Sequence, residues 1–140
     1  MLTVYTKEKC HSSKRAKQWL KEHRIHYKEK KLNRYRLTKI EFIQILSLTE
    51  NGTDDILSHH SIMYKQLELE IGNLLLSELR VLIGENPTLL RSPIILNEKI
   101  LLIGFNSDEM GTLITKKERK TRQRDHLFES AYAHTIGFRE

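Results

Sequence analysis

Cysteine is almost missing from this 140-residue chain: Cys10 stands alone, so no internal disulfide can form. That excludes a disulfide-stapled scaffold and suits a reducing compartment. Long apolar runs are missing too. Met1 to Lys9 contains nothing that reads as a signal peptide, and no stretch approaches the roughly 20 apolar residues that span a bilayer. A soluble cytoplasmic protein with no membrane partner is the expectation. There is no Gly-rich phosphate loop, no Ser/His/Asp pattern and no internal repeat. His59 and His60 are adjacent, so their side chains diverge on a helix, and nothing nearby completes a tetrahedral metal site. They read as surface polar residues, and the chain implies neither a metal nor a cofactor.

What is present is an ordinary single-domain composition, 39% hydrophobic and 30% charged, with an uneven spread of charge. Residues 1–40 hold 13 Lys and Arg against three Glu, a surplus of ten positive charges. Residues 41–115 hold four cations against 11 acids, and residues 116–140 hold seven against four. Such a bipolar chain can steer a charged partner, or its two ends can screen each other internally.

Leu2 to Tyr5 alternates apolar and polar residues and predicts a first strand. Ser12 or Ser13 is placed to cap a helix in which Ala16, Trp19, Leu20 and His23 recur on one face. Ile25 to Leu32 predicts a second strand, parallel to the first through a βαβ crossover. A helix follows with Ile40, Ile43, Leu46 and Ile45 as its apolar stripe, broken at Asn51-Gly52. Gly52 takes positive φ at little cost and would serve as a helix C-cap. Short helices are predicted at Asp54 to Leu57, Ser61 to Leu67 and Leu74 to Ile83, the last stopped by Gly84 and Pro87. Ser92 to Leu96 and Ile100 to Ile103 predict the remaining strands, and Ser107 to Leu113 a last helix. Pro93 at the head of a buried strand suggests a cis peptide packed against the first βα loop. The order is that of an α/β thioredoxin-like fold with a helical insertion, roughly 35–90, between its βαβ and ββα halves. The domain is expected over 1–115, followed by a basic tail over 116–140.

Cys10 falls in the turn between the first strand and the first helix, where free N–H groups favour a thiolate. Lys9, His11 and Lys14 add positive charge. A reactive thiol and an unexploited free cysteine are the two readings. The second position of a Cys-x-x-Cys pair is Ser13, whose hydroxyl cannot resolve a mixed disulfide. Cys10 could still be oxidised, capped by a small thiol or joined to another chain. The basic run 116–124 is either a phosphate- or acid-binding segment or a solvated tail.

With these residues placed, the chain resembles the Spx branch of the arsenate reductase (ArsC) family over about residues 1–115. The matching segments are Val4 to Thr6 with Cys10, Lys14 to Leu20 (KRAKQWL), Thr49 to Asp54 (TENGTD) and Leu89 to Ile95 (LLRSPII). Asn97 to Lys99, Gly104 to Asn106 and Asp108-Glu109 continue the series. The resemblance implies a transcriptional regulator, not an enzyme, that binds the C-terminal domain of the RNA polymerase α subunit, with a role in stress response. It implies an α-binding set of Gly52, Asn51, Ser47 and Tyr5. Promoter DNA contact by the basic first 40 residues, within that complex, is inferred from charge.

The sequence also departs from the branch. Cys10-His-Ser-Ser13 replaces the usual Cys-x-x-Cys, removing the intramolecular switch. Ser92 stands where an arginine is expected before the proline, His60 where another is expected, and Ser47 where a basic residue is expected. Cys-x-x-Ser is similar to glutaredoxin-dependent arsenate reductases, an alternative in which Cys10 attacks the oxyanion. Arg91 and His60 are then the candidate anion-site residues. Arg91 neighbours the expected position, but adjacent strand residues face opposite sides.

Overall fold

The computed structural model describes residues 1–114, so the basic tail expected at 116–140 lies outside the described residues. Two compact units are distinguished, Met1–Asn106 and one that begins at Ser107. In the first, β1 (Leu2–Thr6), α1 (His11–Glu22) and β2 (Tyr27–Lys31) form the βαβ unit. Four helices follow: α2 (Lys39–Ser47), α3 (Thr53–Ile56), α4 (Ile62–Gly72) and α5 (Leu76–Glu85). A 3₁₀ turn (Pro87–Leu89) leads into β3 (Ile94–Leu96) and β4 (Leu101–Ile103). The second unit contributes α6 (Ser107–Met110) and a 3₁₀ turn, Gly111–Leu113. No helix among the described residues is long and apolar enough to cross a membrane.

The sheet order is β2-β1-β3-β4, with β1 and β2 parallel and the other pairs antiparallel. This is the thioredoxin-like arrangement that the element order predicts. Register assigns the two faces. Val4 pairs with Glu29 and Ile95, and Glu29 meets Lys17 of α1 at 3.0 Å, so these residues face α1. Tyr5 pairs with Lys30 and Ile94, and both Tyr5 and Lys30 reach Glu41, so these residues face α2. The core on that second face joins Tyr5 and Ile94 to Phe42, Ile45, Ile56, Leu79, Ile83 and Leu89. The insertion is thus held to the sheet by a continuous apolar layer, the dominant favourable contribution to its docking.

Three local expectations are corrected. The cap of α1 is not Ser12 or Ser13 but Cys10, whose sulfur accepts from the Ser13 amide. Ile25 lies outside β2. Arg24 adopts φ 55°, α1 ends there, and the Ile25 amide returns to the Leu20 carbonyl at 2.9 Å. The apolar stripe of α2 is also different. Ile45 is buried and Leu46 packs on the core as expected, but Ile40 and Ile43 are 70% and 53% exposed, and Glu41 and Phe42 are buried in their place. A capping box fixes that rotation: the Thr38 hydroxyl accepts from the Glu41 amide and the Glu41 carboxylate accepts from the Thr38 amide. Lys30, Tyr5 and Tyr35 then draw the carboxylate inward.

Candidate functional site

The site grows from the turn after β1. Lys9, just before the cysteine, has φ 58°, a left-handed conformation that non-glycine residues seldom take. It delivers Cys10 to the head of α1. There the Ser13 amide donates to Sγ at 3.4 Å. From across the fold the Ser92 hydroxyl donates to the same sulfur at 3.2 Å, and the thiol faces the Ser92 carbonyl at 3.8 Å. The Ser92–Pro93 peptide is cis, as Pro93 suggests in the sequence. Burial pushes the Cys10 thiol up. The Ser13 and Ser92 side chains and the Ser13 and Ser12 amides more than offset this, and the thiol lies below its ordinary value. The Ser13 hydroxyl is buried on the inner side of the helix start, where it helps to lower the thiol.

Lys7 is a half-buried cation coupled to this sulfur, and the expected Lys9, His11 and Lys14 are exposed. Burial lowers the Lys7 ammonium, and the Cys10 charge pulls it partly back. Lys7 Nζ donates to the Leu90 carbonyl, tying the turn to the strand approach. Sequence reasoning missed Lys7 because it was counted as part of the polar connection. Its position three residues before Cys10 was the available signal.

Residues 89–92 also hold the other half of the site. The Arg91 amide donates to the Ile56 carbonyl at 2.8 Å, the Ser58 amide to the Leu89 carbonyl at 2.7 Å, and Arg91 Nη1 to the Asp55 carbonyl at 3.3 Å. The Asp55 carboxylate accepts from the Glu50 and Asn51 amides, both at 3.0 Å, and from the Asn51 side chain at 3.2 Å. Its pKa is lowered, first by the Asn51 amide. Asp55 therefore shapes the loop that presents Asn51 and Gly52, a role the sequence reading gave only to a helix start. Gly52 has φ 66° and ψ −134° and precedes α3 as its N-cap, so it is not the C-cap of α2. A side chain there would meet nothing of this protein within 4 Å.

The predicted residues separate into two groups. Ser47 and Asn51 are exposed and Gly52 is half-buried beside them in sequence. Ser47 also borders a cleft of about 330 Å³ with Met1, Gln44 and Leu96. Tyr5 lies beneath the surface, 3% exposed, with its hydroxyl given to Glu41. The carboxyl of Glu41 is disfavoured by burial, yet Lys30, Tyr35, Tyr5 and the Thr38 amide together hold it at about 2. As anion-site candidates, Arg91 and His60 are not brought onto Cys10. Arg91 is engaged with Asp55, and His60 is exposed in the turn before α4.

The ArsC family pattern matches residues 5–113. A protein of Staphylococcus haemolyticus named global transcriptional regulator Spx is 44% identical over 119 residues, covering 85% of this chain and 91% of its own length. One of the same name from Streptococcus agalactiae is 42% identical over 120 residues, covering 86% and 88%. Among solved structures, an ArsC family related protein of Bacteroides fragilis superposes with a TM-score of 0.67 at 23% identity, covering 80% of this chain and 96% of that one. One described as a possible arsenate reductase of Streptococcus mutans gives 0.61 at 24%, covering 76% and 92%. The family pattern spans most of the chain and the two named relatives are more than 40% identical over most of its length: this chain belongs to the ArsC family, in its Spx branch.

Proposed function

We propose that this protein is a cytoplasmic transcriptional regulator that binds the C-terminal domain of the RNA polymerase α subunit and alters promoter use, in stress response. The observation that carries this reading is the Asn51–Gly52 loop. It is presented outward by Asp55 and Arg91, and it has empty space where a side chain would stand. A glycine in open space, with a backbone conformation other residues avoid, suits the close approach of a partner's backbone. Ser47, exposed at the end of α2, is assigned to the same surface. The relatives named as transcriptional regulators support the same reading.

The exposed cations Lys14, Lys21, Arg24, Lys28 and Lys31 are the groups assigned to promoter phosphates within the complex. Arsenate reduction is the alternative, prompted by the lowered Cys10 thiol. It needs several cations around a multiply charged oxyanion. Arg91 is turned to Asp55, and Lys7 is bound to the Leu90 carbonyl. Binding of the purified α C-terminal domain at low salt tests the regulator. Cys10-dependent arsenate turnover with glutathione and glutaredoxin would establish the enzyme instead.

A further inference from the structure

Helical spacing sets Ile40, Ile43, Gln44 and Ser47 on the side of α2 opposite the buried Glu41, Phe42 and Ile45, and all four are exposed. None of the four is charged, in a chain that is 30% charged. Ser47 also turns its hydroxyl inward, donating to the Gln44 carbonyl at 2.7 Å. A helix face left to water ordinarily carries charged and polar groups. At its C-terminal end this strip opens into the cleft of about 330 Å³, whose walls include Gln44, Ser47, Leu48 and Leu96. Other exposed apolar residues form no such strip. Ile62 and Leu69 on α4 and Val81 on α5 alternate with the exposed Glu68, Glu70, Glu78 and Glu85.

We propose that the outer face of α2 is a self-association surface, on which a second copy of this chain seats its own α2 antiparallel about a two-fold axis. A two-fold contact sets the same patch against itself, so a charge near its centre meets its like. The glutamates of α4 and α5 would meet that penalty, and the outer face of α2 avoids it. A partner of opposite charge would gain from charges there, and a second copy gains from their absence. α2 is nine residues long, which puts the axis at Ile43 and Gln44. Ile43 then meets Ile43 of the second copy. Ile40 lies about 5 Å from the axis along the helix. It comes opposite Ser47 of the second copy and enters the cleft beside Leu48 and Leu96. Lys39 is drawn toward the C-terminal end of the facing α2, where a cation is favoured. A helix this short covers less than the roughly 800 Å² per partner of a standard interface. Each chain also carries a net +6, so the dimer is weak, and salt strengthens it by screening that repulsion. A partner held at Ser47 and the second copy exclude each other. This inference does not rest on binding to RNA polymerase.

The test is sedimentation velocity of the full reduced chain, from micromolar concentration to about 1 mM, at low and high salt. The expected result is a reversible monomer–dimer equilibrium that tightens with salt. Ile40→Lys and Ile43→Lys, exposed changes that leave the core intact, should each weaken the dimer about tenfold or more. Ile62→Lys, exposed on α4, should not. In a Cys10→Ser background, Ile43→Cys should give a disulfide-linked dimer under mild oxidant, and Ile62→Cys should stay monomeric. A chain that is monomeric throughout, a dimer indifferent to Ile40→Lys and Ile43→Lys together, or cross-linking at position 62 equal to that at position 43 would overturn the proposal.

Discussion

The Ser92 hydroxyl donates a hydrogen bond of 3.2 Å to Cys10 Sγ across 82 residues of chain. The donor is neutral. It stabilises a thiolate without supplying charge for an oxyanion. Ser92→Ala should raise the Cys10 thiol toward its ordinary value, because one of the groups that lower it is removed. Thiolate absorbance, or the pH dependence of iodoacetamide alkylation, checks this. An unchanged titration would show that the Ser13 amide and hydroxyl suffice.

Glu41 joins β1, β2 and α2 through Tyr5, Lys30 and Tyr35. Glu41→Gln should destabilise the fold by about 2 kcal/mol, below the full cost of breaking a buried pair because Lys30 is partly exposed. Urea unfolding at neutral pH measures it. The sign with pH follows from the lowered carboxyl, at about 2 in the folded chain against an ordinary 4.5. Its contribution is complete above the ordinary value and is lost as pH falls from there through about 2. The wild type should therefore lose more stability than Glu41→Gln across that window.

Asp55 accepts the Glu50 and Asn51 amides and thereby shapes the proposed docking loop. Asp55→Asn should weaken α-subunit binding while leaving thermal stability nearly unchanged, since the exposed loop adds little to the core. Calorimetric binding paired with a melting curve separates the two effects. Equal binding by the variant would remove this loop from the interface.

Cys10→Ala should retain binding to the α C-terminal domain under reducing conditions, because Cys10 reaches the loop only indirectly, through Ser92 and Arg91. A pull-down with and without reductant checks it. Strict dependence on oxidised Cys10 would contradict this.

How much of this could be read from the sequence varies with the physics of each element. The βαβ unit was legible because Leu2 to Tyr5 alternates and Ala16 and Leu20 repeat at helical spacing, and both patterns report burial directly. Pro93 marked the cis peptide because a proline cannot donate within a ladder. The face of α2 was misread in part: Ile45 is buried as expected, but Ile40 and Ile43 outweighed one glutamate, and a buried carboxylate is invisible until Lys30 and two tyrosines are brought to it. The Cys10 cap was hidden for a similar reason: serine is the better oxygen cap, but the left-handed Lys9 places sulfur first. The proposed docking loop was visible only as Asn51-Gly52. The hydrogen bonds from Asp55 and Arg91 that hold it come from 4 and 40 residues away from Asn51, and sequence spacing does not encode the second.

The most direct test is binding of reduced full-length protein to the isolated α C-terminal domain at low salt, comparing wild type, Gly52→Ala and Gly52→Arg. Both variants carry the same backbone strain of about 1–3 kcal/mol, and neither side chain clashes within this protein. Only arginine projects far enough to obstruct a partner. Saturable binding by wild type and Gly52→Ala, lost in a folded Gly52→Arg, is the predicted result. No binding by the wild type, or equal binding by Gly52→Arg, would contradict the account.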